Sequence, residues 1–393
     1  MAHFRIICIL VLFSVMSCYH KEKESSENYE NAVEIIEHTT KDYAYCMPKK
    51  HTNKLPLFVV IDAHGNSKVI INKFRPALRE YQFIVIGLSN ISNNTPEYEV
   101  LIKQATNHAI KNLPVDTEHI FYAGFSGGAR MAFQYAITNN NSRGVIMCGA
   151  GPQNKMLEKI NFPLIAVSGL KDFNFIEQYY PPRSPLVQNP DFISLYFEGK
   201  HEWPPGEIIN ECISFLLLKS DLQRNINKNV VKSIISKKDS LLRAKQYLLA
   251  FKVLEKAYKT CNDNNKDAFL SELNKMARKD EIKAFFLSLN QVLKEEMERN
   301  HYYYKCLFSK DINWWYREIA KIDDKLNNSG NSLVASSYSR TRGFLGVLLY
   351  STTNSVIKDQ NNNNLTEKLL TIYEHLEPEN PDVDYFKSLY IKK

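Results

Sequence analysis

Three residue types that together activate an alcohol recur in this chain, each just after a short apolar run. Gly124-Phe125-Ser126-Gly127-Gly128 follows the run His119 to Ala123 and precedes a helical stretch, Gly127 to Thr138. A serine on a sharp strand-to-helix turn needs small neighbours, and the turn lifts its hydroxyl to the start of a helix. There, free backbone N–H groups and the helix dipole favour developing negative charge. A neutral serine hydroxyl is a weak nucleophile at pH 7 and requires a base within hydrogen-bond reach. Gly199-Lys200-His201-Glu202-Trp203-Pro204 follows the last apolar run and supplies His201. Ser168-Gly169-Leu170-Lys171-Asp172 follows Leu164 to Val167 and supplies a carboxylate, Asp172, to orient the imidazole. The chemistry this points to is acyl transfer: Ser126 as nucleophile, His201 as proton shuttle, Asp172 as the group that fixes the tautomer.

Acyl transfer also needs donors for an oxyanion. The amide of Gly127 is one candidate, and Gly65 or Asn66, in the loop Asp62-Ala63-His64-Gly65-Asn66, supplies the second. His64 is expected to be a structural hydrogen-bonding residue. Asn90, in the Asn-rich loop Ser89 to Asn94, and Trp203 are candidate substrate contacts, with Tyr179 and Tyr180 near enough in sequence to line a pocket. No metal or organic cofactor is required by this set.

These residues must be held by a scaffold, and the apolar pattern says which. Leu57 to Ile61, Phe83 to Ile86, His119 to Ala123, Gly144 to Cys148, Leu164 to Val167 and Ile193 to Phe197 are short and rich in Val, Ile and Phe, as strands covered on both faces are. Helical stretches at Glu97 to Asn112, Gly127 to Thr138 and Gly206 to Lys219 lie between or after them. The alternation predicts a doubly wound, mostly parallel α/β unit over residues 43–220, with Tyr43 to Met47 as a further edge strand. Beyond Ser220 the β-branched runs give way to Lys, Leu, Glu and Ala. Ser233 to Tyr258, Asp267 to Arg278, Lys283 to Arg299, Ile312 to Leu326, Leu333 to Ser351 and Leu365 to Leu376 have helical length, so residues 221–393 form an all-α domain. Whether that domain is a plain bundle or a repeat stays open: Ala250, Leu254 and Ala257 have tetratricopeptide-like offsets, yet no regular period runs through the unit. Tyr302, Tyr303, Tyr304, Trp314 and Trp315 suit either a partner groove or a core.

The 393 residues are 44% hydrophobic and 24% charged, with a formal net charge of +7. That composition excludes disorder and collagen-like sequence, and the charge is spread in mixed runs, which argues against a nucleic-acid partner. Residues 1–18 have one Arg, an apolar run from Ile6 to Val15 and then Ser17-Cys18. The run is shorter than the roughly 20 residues a spanning helix needs, so an export signal is expected. Its ending resembles the lipobox of bacterial lipoproteins, which implies acylation of Cys18, a flexible tether over residues 19–42 and a cell-envelope location on a lipid anchor. Cys46, Cys148, Cys212, Cys261 and Cys306 show neither paired nor zinc-ligand spacing and are expected as buried small hydrophobes.

At these motifs the chain resembles the α/β hydrolases, and within them the esterases near dienelactone hydrolases, feruloyl and acetylxylan esterases and polyhydroxybutyrate depolymerases. The matching pieces are Ala63-His64-Gly65, Tyr122-Ala123-Gly124-Phe125-Ser126-Gly127-Gly128, Gly169-Leu170-Lys171-Asp172 and Gly199-Lys200-His201-Glu202-Trp203-Pro204. The chain order Ser, Asp, His is the order of that superfamily. The resemblance covers roughly Tyr43 to Leu218 and implies a carboxylic-ester hydrolase acting on a small molecule or a polysaccharide side group. The segment between Asp172 and His201 is too short for a large lid. Two alternatives remain: a peptidase similar to prolyl oligopeptidases, without their propeller, and a non-catalytic envelope module whose helical domain recruits a protein partner.

Overall fold

The computed structural model describes residues 33–93, 95–139, 141–152, 160–179, 189–220, 228–261, 263–358 and 363–391. Cys18, the signal and most of the tether lie outside these residues, as does Tyr180. Eight strands form one sheet: β1 (Ile35–Thr39), β2 (Tyr43–Pro48), β3 (Leu55–Ile61), β4 (Ile84–Leu88), β5 (Val115–Phe125), β6 (Val145–Cys148), β7 (Leu164–Gly169) and β8 (Phe192–Phe197). Their spatial order is β1-β2-β4-β3-β5-β6-β7-β8. The β1–β2 and β2–β4 pairings are antiparallel and every other pairing is parallel. This is an α/β fold of the α/β hydrolase type.

Period-two alternation along the strands divides their side chains between two apolar layers. Leu57, Val59, Ile86, Tyr122 and Met147 face α2 (Tyr98–Asn112) and α3 (Gly127–Asn139). Phe58, Val60, Val85, Phe121, Ile146 and Val167 face α1 (Ser67–Phe74) and α5 (Gly206–Lys219) on the other side. A short helix, α4 (Phe175–Gln178), follows β7. Phe58 stacks on Phe121 with ring centroids 4.7 Å apart. Fully burying each such side chain contributes about 1.5–3 kcal/mol, which is why the middle strands need no polar face.

The sheet starts earlier than the sequence suggests. Ile35–Thr39, within the stretch assigned to the tether, pairs with β2 and becomes the edge strand. All its side chains are exposed except a half-buried Ile35, so the hydrophobic pattern that marks the inner strands is missing there.

The second unit is all-α: α6 (Lys228–Arg243), α7 (Tyr247–Thr260), α8 (Asp263–Arg278), α9 (Asp280–Ser309), α10 (Ile312–Asn328), α11 (Ser332–Lys358), α12 (Asn363–Leu376) and α13 (Pro381–Ile391). The single stretch expected over Ser233 to Tyr258 is two helices. Lys245, at φ +56°, adopts the left-handed conformation, and Gln246 N–H closes the end of α6 on Leu241 O at 2.9 Å. No Gly or Pro marks that break. Ala250, Leu254 and Ala257 pack into the α6–α8 core, but α9 has 30 residues and α11 has 27 against 14 in α7, so the described helices follow no fixed repeat length. Tyr303 and Trp315 belong to a second core shared by α9 to α13, whereas Tyr302 and Tyr304 are exposed. Among the described residues no helix is long and apolar enough to cross a membrane.

A separate apolar seam joins the two units. Phe175, Tyr179 and Tyr196 from the sheet unit pack with Leu248, Leu289 and Leu293 from the helices. Glu211 of α5 bridges to Lys237 and Lys256 at 3.1 and 2.6 Å.

Candidate active site

The turn from β5 into α3 carries Ser126 at φ +54°. Its N–H donates to Cys148 O at 2.8 Å, and its carbonyl accepts from Ala129 N–H at 3.1 Å, so the strained residue is fixed from both sides. Two glycines make the turn possible. A Cβ on Gly124 would lie 2.4 Å from the Gly128 carbonyl, and one on Gly128 would lie 2.2 Å from Ile61 O, well inside contact distance. The hydroxyl thus stands at the carboxyl edge of the sheet over the N-terminus of α3.

His201 comes from the loop after β8 and Asp172 from the loop after β7. Ser126 Oγ–H donates to His201 Nε2 at 2.9 Å. The opposite ring nitrogen lies 2.9 Å from Asp172 Oδ1. A carboxylate only accepts, so Nδ1 carries the proton and Nε2 is left free to take one. Asp172 is 1% exposed, and its Oδ1 also accepts from Asn174 N–H at 2.8 Å, while Oδ2 is buried without a partner among the described residues. Phe125 and Phe173 flank the imidazole at centroid distances of 4.7 and 4.2 Å. The three residues singled out from sequence are therefore brought together in one continuous chain of hydrogen bonds.

The five described cysteines are free and buried. Burial pushes the thiols of Cys148, at the end of β6, and Cys212 well up and that of Cys46 to about 12, so none of these three offers a thiolate to compete with Ser126.

The oxyanion loop differs from expectation. Its amides turn toward Asp62 instead of the open rim: His64 N–H donates to Asp62 Oδ1 at 2.9 Å, Gly65 N–H to Asp62 O at 3.1 Å, and Asn66 N–H reaches Asp62 Oδ1 at 3.4 Å. Asn66 Oδ1 meanwhile caps α1 through Val69 N–H. Gly127, at the first position of α3, has no helical partner for its amide. Beside it lies the carboxamide of Asn93, whose Oδ1 would be 1.8 Å from a Cβ placed on Gly127. Asn93 was not singled out from the sequence, although its loop was; only the path of the backbone distinguishes it from Asn90.

Asn90 points elsewhere, donating to Asp42 Oδ1 at 3.3 Å. Trp203 is also not a surface contact for substrate. It is 8% exposed, and its indole N–H donates to Asp62 Oδ2 at 2.7 Å, tying the His201 loop to the loop after β3. Tyr179 lies in the seam and donates to Asn290 Oδ1 at 3.0 Å. His64 departs from the structural hydrogen-bonding role expected of it: its side chain is exposed and lies 3.7 Å from Asp62 Oδ1, beyond hydrogen-bond distance, and only its backbone N–H bonds to that carboxylate. Asp62 is thus a hub that the motif pattern missed. Asp62→Ala would strand the buried Trp203 indole, costing about 1–3 kcal/mol, and remove the acceptor of the His64 amide. A drop in the urea midpoint together with reduced turnover is expected; an unchanged midpoint would show that the hub is dispensable.

No protein-family model matches the chain, and no curated protein matches it. Among solved structures, it is similar to an S-formylglutathione hydrolase (FrmB) from Staphylococcus aureus, with 12% identity, a TM-score of 0.35, and coverage of 47% of this chain and 98% of that one. The substrate-bound fluorophosphonate-binding serine hydrolase FphF of Staphylococcus aureus gives the same four values. Est1E from Butyrivibrio proteoclasticus has 14% identity, a TM-score of 0.35, and coverage of 48% and 99%.

Proposed function

We propose that this chain is a serine hydrolase that cleaves carboxylic esters through an acyl-enzyme. The observation that carries the reading is the unbroken relay from Asp172 through His201 to Ser126, with both hydrogen bonds at 2.9 Å and the serine on a strained turn above a helix N-terminus. Ser126 Oγ attacks the ester carbonyl carbon while Nε2 of His201 accepts its proton. Negative charge gathers on the former carbonyl oxygen. The Gly127 amide, without a helical partner, serves as one donor to it, and the neighbouring Asn93 carboxamide can turn its NH2 toward it as a second. Collapse breaks the bond to the alcohol, which leaves with the proton from Nε2. Water, deprotonated by the same nitrogen, then attacks the acyl-enzyme, releasing a carboxylic acid and restoring the Ser126 hydroxyl. Asp172 stabilises the imidazolium at each transfer.

The proposed setting is the bacterial cell envelope, with Cys18 as the lipid attachment point, on the strength of the N-terminal apolar run that ends in Ser17-Cys18. The reading is tested with a fluorophosphonate probe and a panel of nitrophenyl esters run beside proline nitroanilides. Covalent labelling on Ser126 and turnover of the esters are expected. Turnover confined to the anilides would move the assignment to a peptidase, and the absence of labelling and of any turnover would retire the catalytic reading.

A further inference from the structure

The loop that presents Asp172 is gripped from both units. On the sheet side Leu170 N–H donates to Phe197 O and Lys171 N–H to Gly199 O, each at 2.9 Å, and Asn174 Nδ2 donates to Gly149 O at 2.7 Å. On the helical side the grip is a charged residue with no exposed surface to speak of. Arg340 of α11, 3% exposed, donates from Nε and Nη2 to the carboxylate of Glu296 on α9, itself fully buried, at 2.6–3.0 Å. Its remaining nitrogen, Nη1, donates to the backbone carbonyl of Leu170 at 2.7 Å, and its guanidinium lies over the Phe175 ring at 4.9 Å. One turn further along α11, a Cβ on Gly343 would sit 3.2 Å from Cδ1 of Phe173, whose ring also lies against His201.

A planar guanidinium can satisfy a carboxylate and a carbonyl at once, which an ammonium cannot do with the same fixed geometry. A buried ion pair adds little to stability over well-packed apolar residues, so its value here lies in where it holds the third group. On the hydrolase reading above, we propose that Arg340 is a positioning residue: locked to Glu296, it fixes the Leu170 carbonyl and thereby the loop that aims Asp172 and Phe173 at His201. Catalytic alignment then depends on the docked helical unit. Arg340 touches no reacting atom and acts through the loop.

The test uses the full chain and two variants. Arg340→Met combined with Glu296→Leu removes the grip without leaving a buried charge unpaired. Gly343→Val leaves the ion pair in place and presses on Phe173 from the helix side. Readouts are kcat and KM on a nitrophenyl ester, the rate of Ser126 phosphonylation by a fluorophosphonate, and Tm. A misalignment of about an ångström lowers kcat by roughly 10- to 100-fold with little change in KM, and slower phosphonylation accompanies it in both variants. A purely structural role would move Tm and leave kcat and the phosphonylation rate of the folded enzyme alone. A folded double variant with wild-type rates overturns the proposal; should the double variant not fold, wild-type rates in Gly343→Val overturn it. If wild-type Ser126 itself resists the probe and no ester is turned over, the hydrolase reading falls and takes the proposal with it.

Discussion

Ser126→Ala is expected to lower kcat for a short nitrophenyl ester by about 10⁶-fold and to abolish fluorophosphonate labelling. The reasoning is geometric. Among the described residues, the hydroxyl is the group that hydrogen-bonds His201, at 2.9 Å, beside the Gly127 amide. The substitution removes a single oxygen and leaves the turn in place, because the turn is held by the Cys148 carbonyl and the Ala129 amide and not by the side chain. Alanine also tolerates φ +54° no worse than serine, so Tm should change little. The measurement is steady-state turnover with the wild type alongside, corrected for spontaneous hydrolysis. Equal turnover by both proteins would place the nucleophile elsewhere.

Substitution of Asp172 is expected to have the second-largest effect, and the two obvious replacements should differ. Asp172→Ala removes both the orienting acceptor and the charge, and should lower kcat by about 10⁴-fold. Asp172→Asn is a milder change at this site. Both donors, His201 Nδ1–H and Asn174 N–H, converge on Oδ1, so an asparagine whose oxygen occupies that position keeps the same imidazole tautomer. Its NH2 then takes the place of Oδ2, which has no partner among the described residues. Only the stabilisation of the imidazolium is lost, and the asparagine variant should retain at least ten times the turnover of the alanine variant. The unpaired buried NH2 should cost about 1–3 kcal/mol of stability, visible as a lower urea midpoint. Equal kcat for the two variants would mean that charge alone, and not the orientation of His201, is what Asp172 contributes.

The triad was legible because each member follows its own apolar strand, and parallel strands deliver their ends to one rim. Ser126 carried the extra mark of flanking glycines, which the close approaches of Gly124 and Gly128 account for. The core strands were legible for the same reason: an inner parallel strand is apolar on both faces. Loop side chains were not. Asn90 and Asn93 are alike in type and three residues apart, yet one ties down the β1–β2 turn through Asp42 and the other lies against Gly127. Trp203 has the composition of a substrate contact, and its long-range bond to Asp62 has no local signal. The amides of Gly65 and Asn66 were expected at the oxyanion because of where their loop falls, but Gly65 N–H turns to the Asp62 backbone carbonyl and Asn66 N–H to the Asp62 carboxylate. The edge strand β1 lacks a buried face to announce it, and the end of α6 at Lys245 has no Gly or Pro. The docking of α9 and α11 on the Asp172 loop joins residues far apart in the chain, which periodicity cannot register.

The grip of Arg340 on Leu170 also sets a timetable for synthesis. All three triad residues leave the ribosome well before α9 and α11 exist, and at about 5–20 residues per second the interval is on the order of ten seconds. During that interval Phe175, Tyr179 and Tyr196 lack their helical cover. On the positioning proposal above, a chain cut short before α11 would keep all three triad residues yet lack the Arg340 contact on the Leu170 carbonyl.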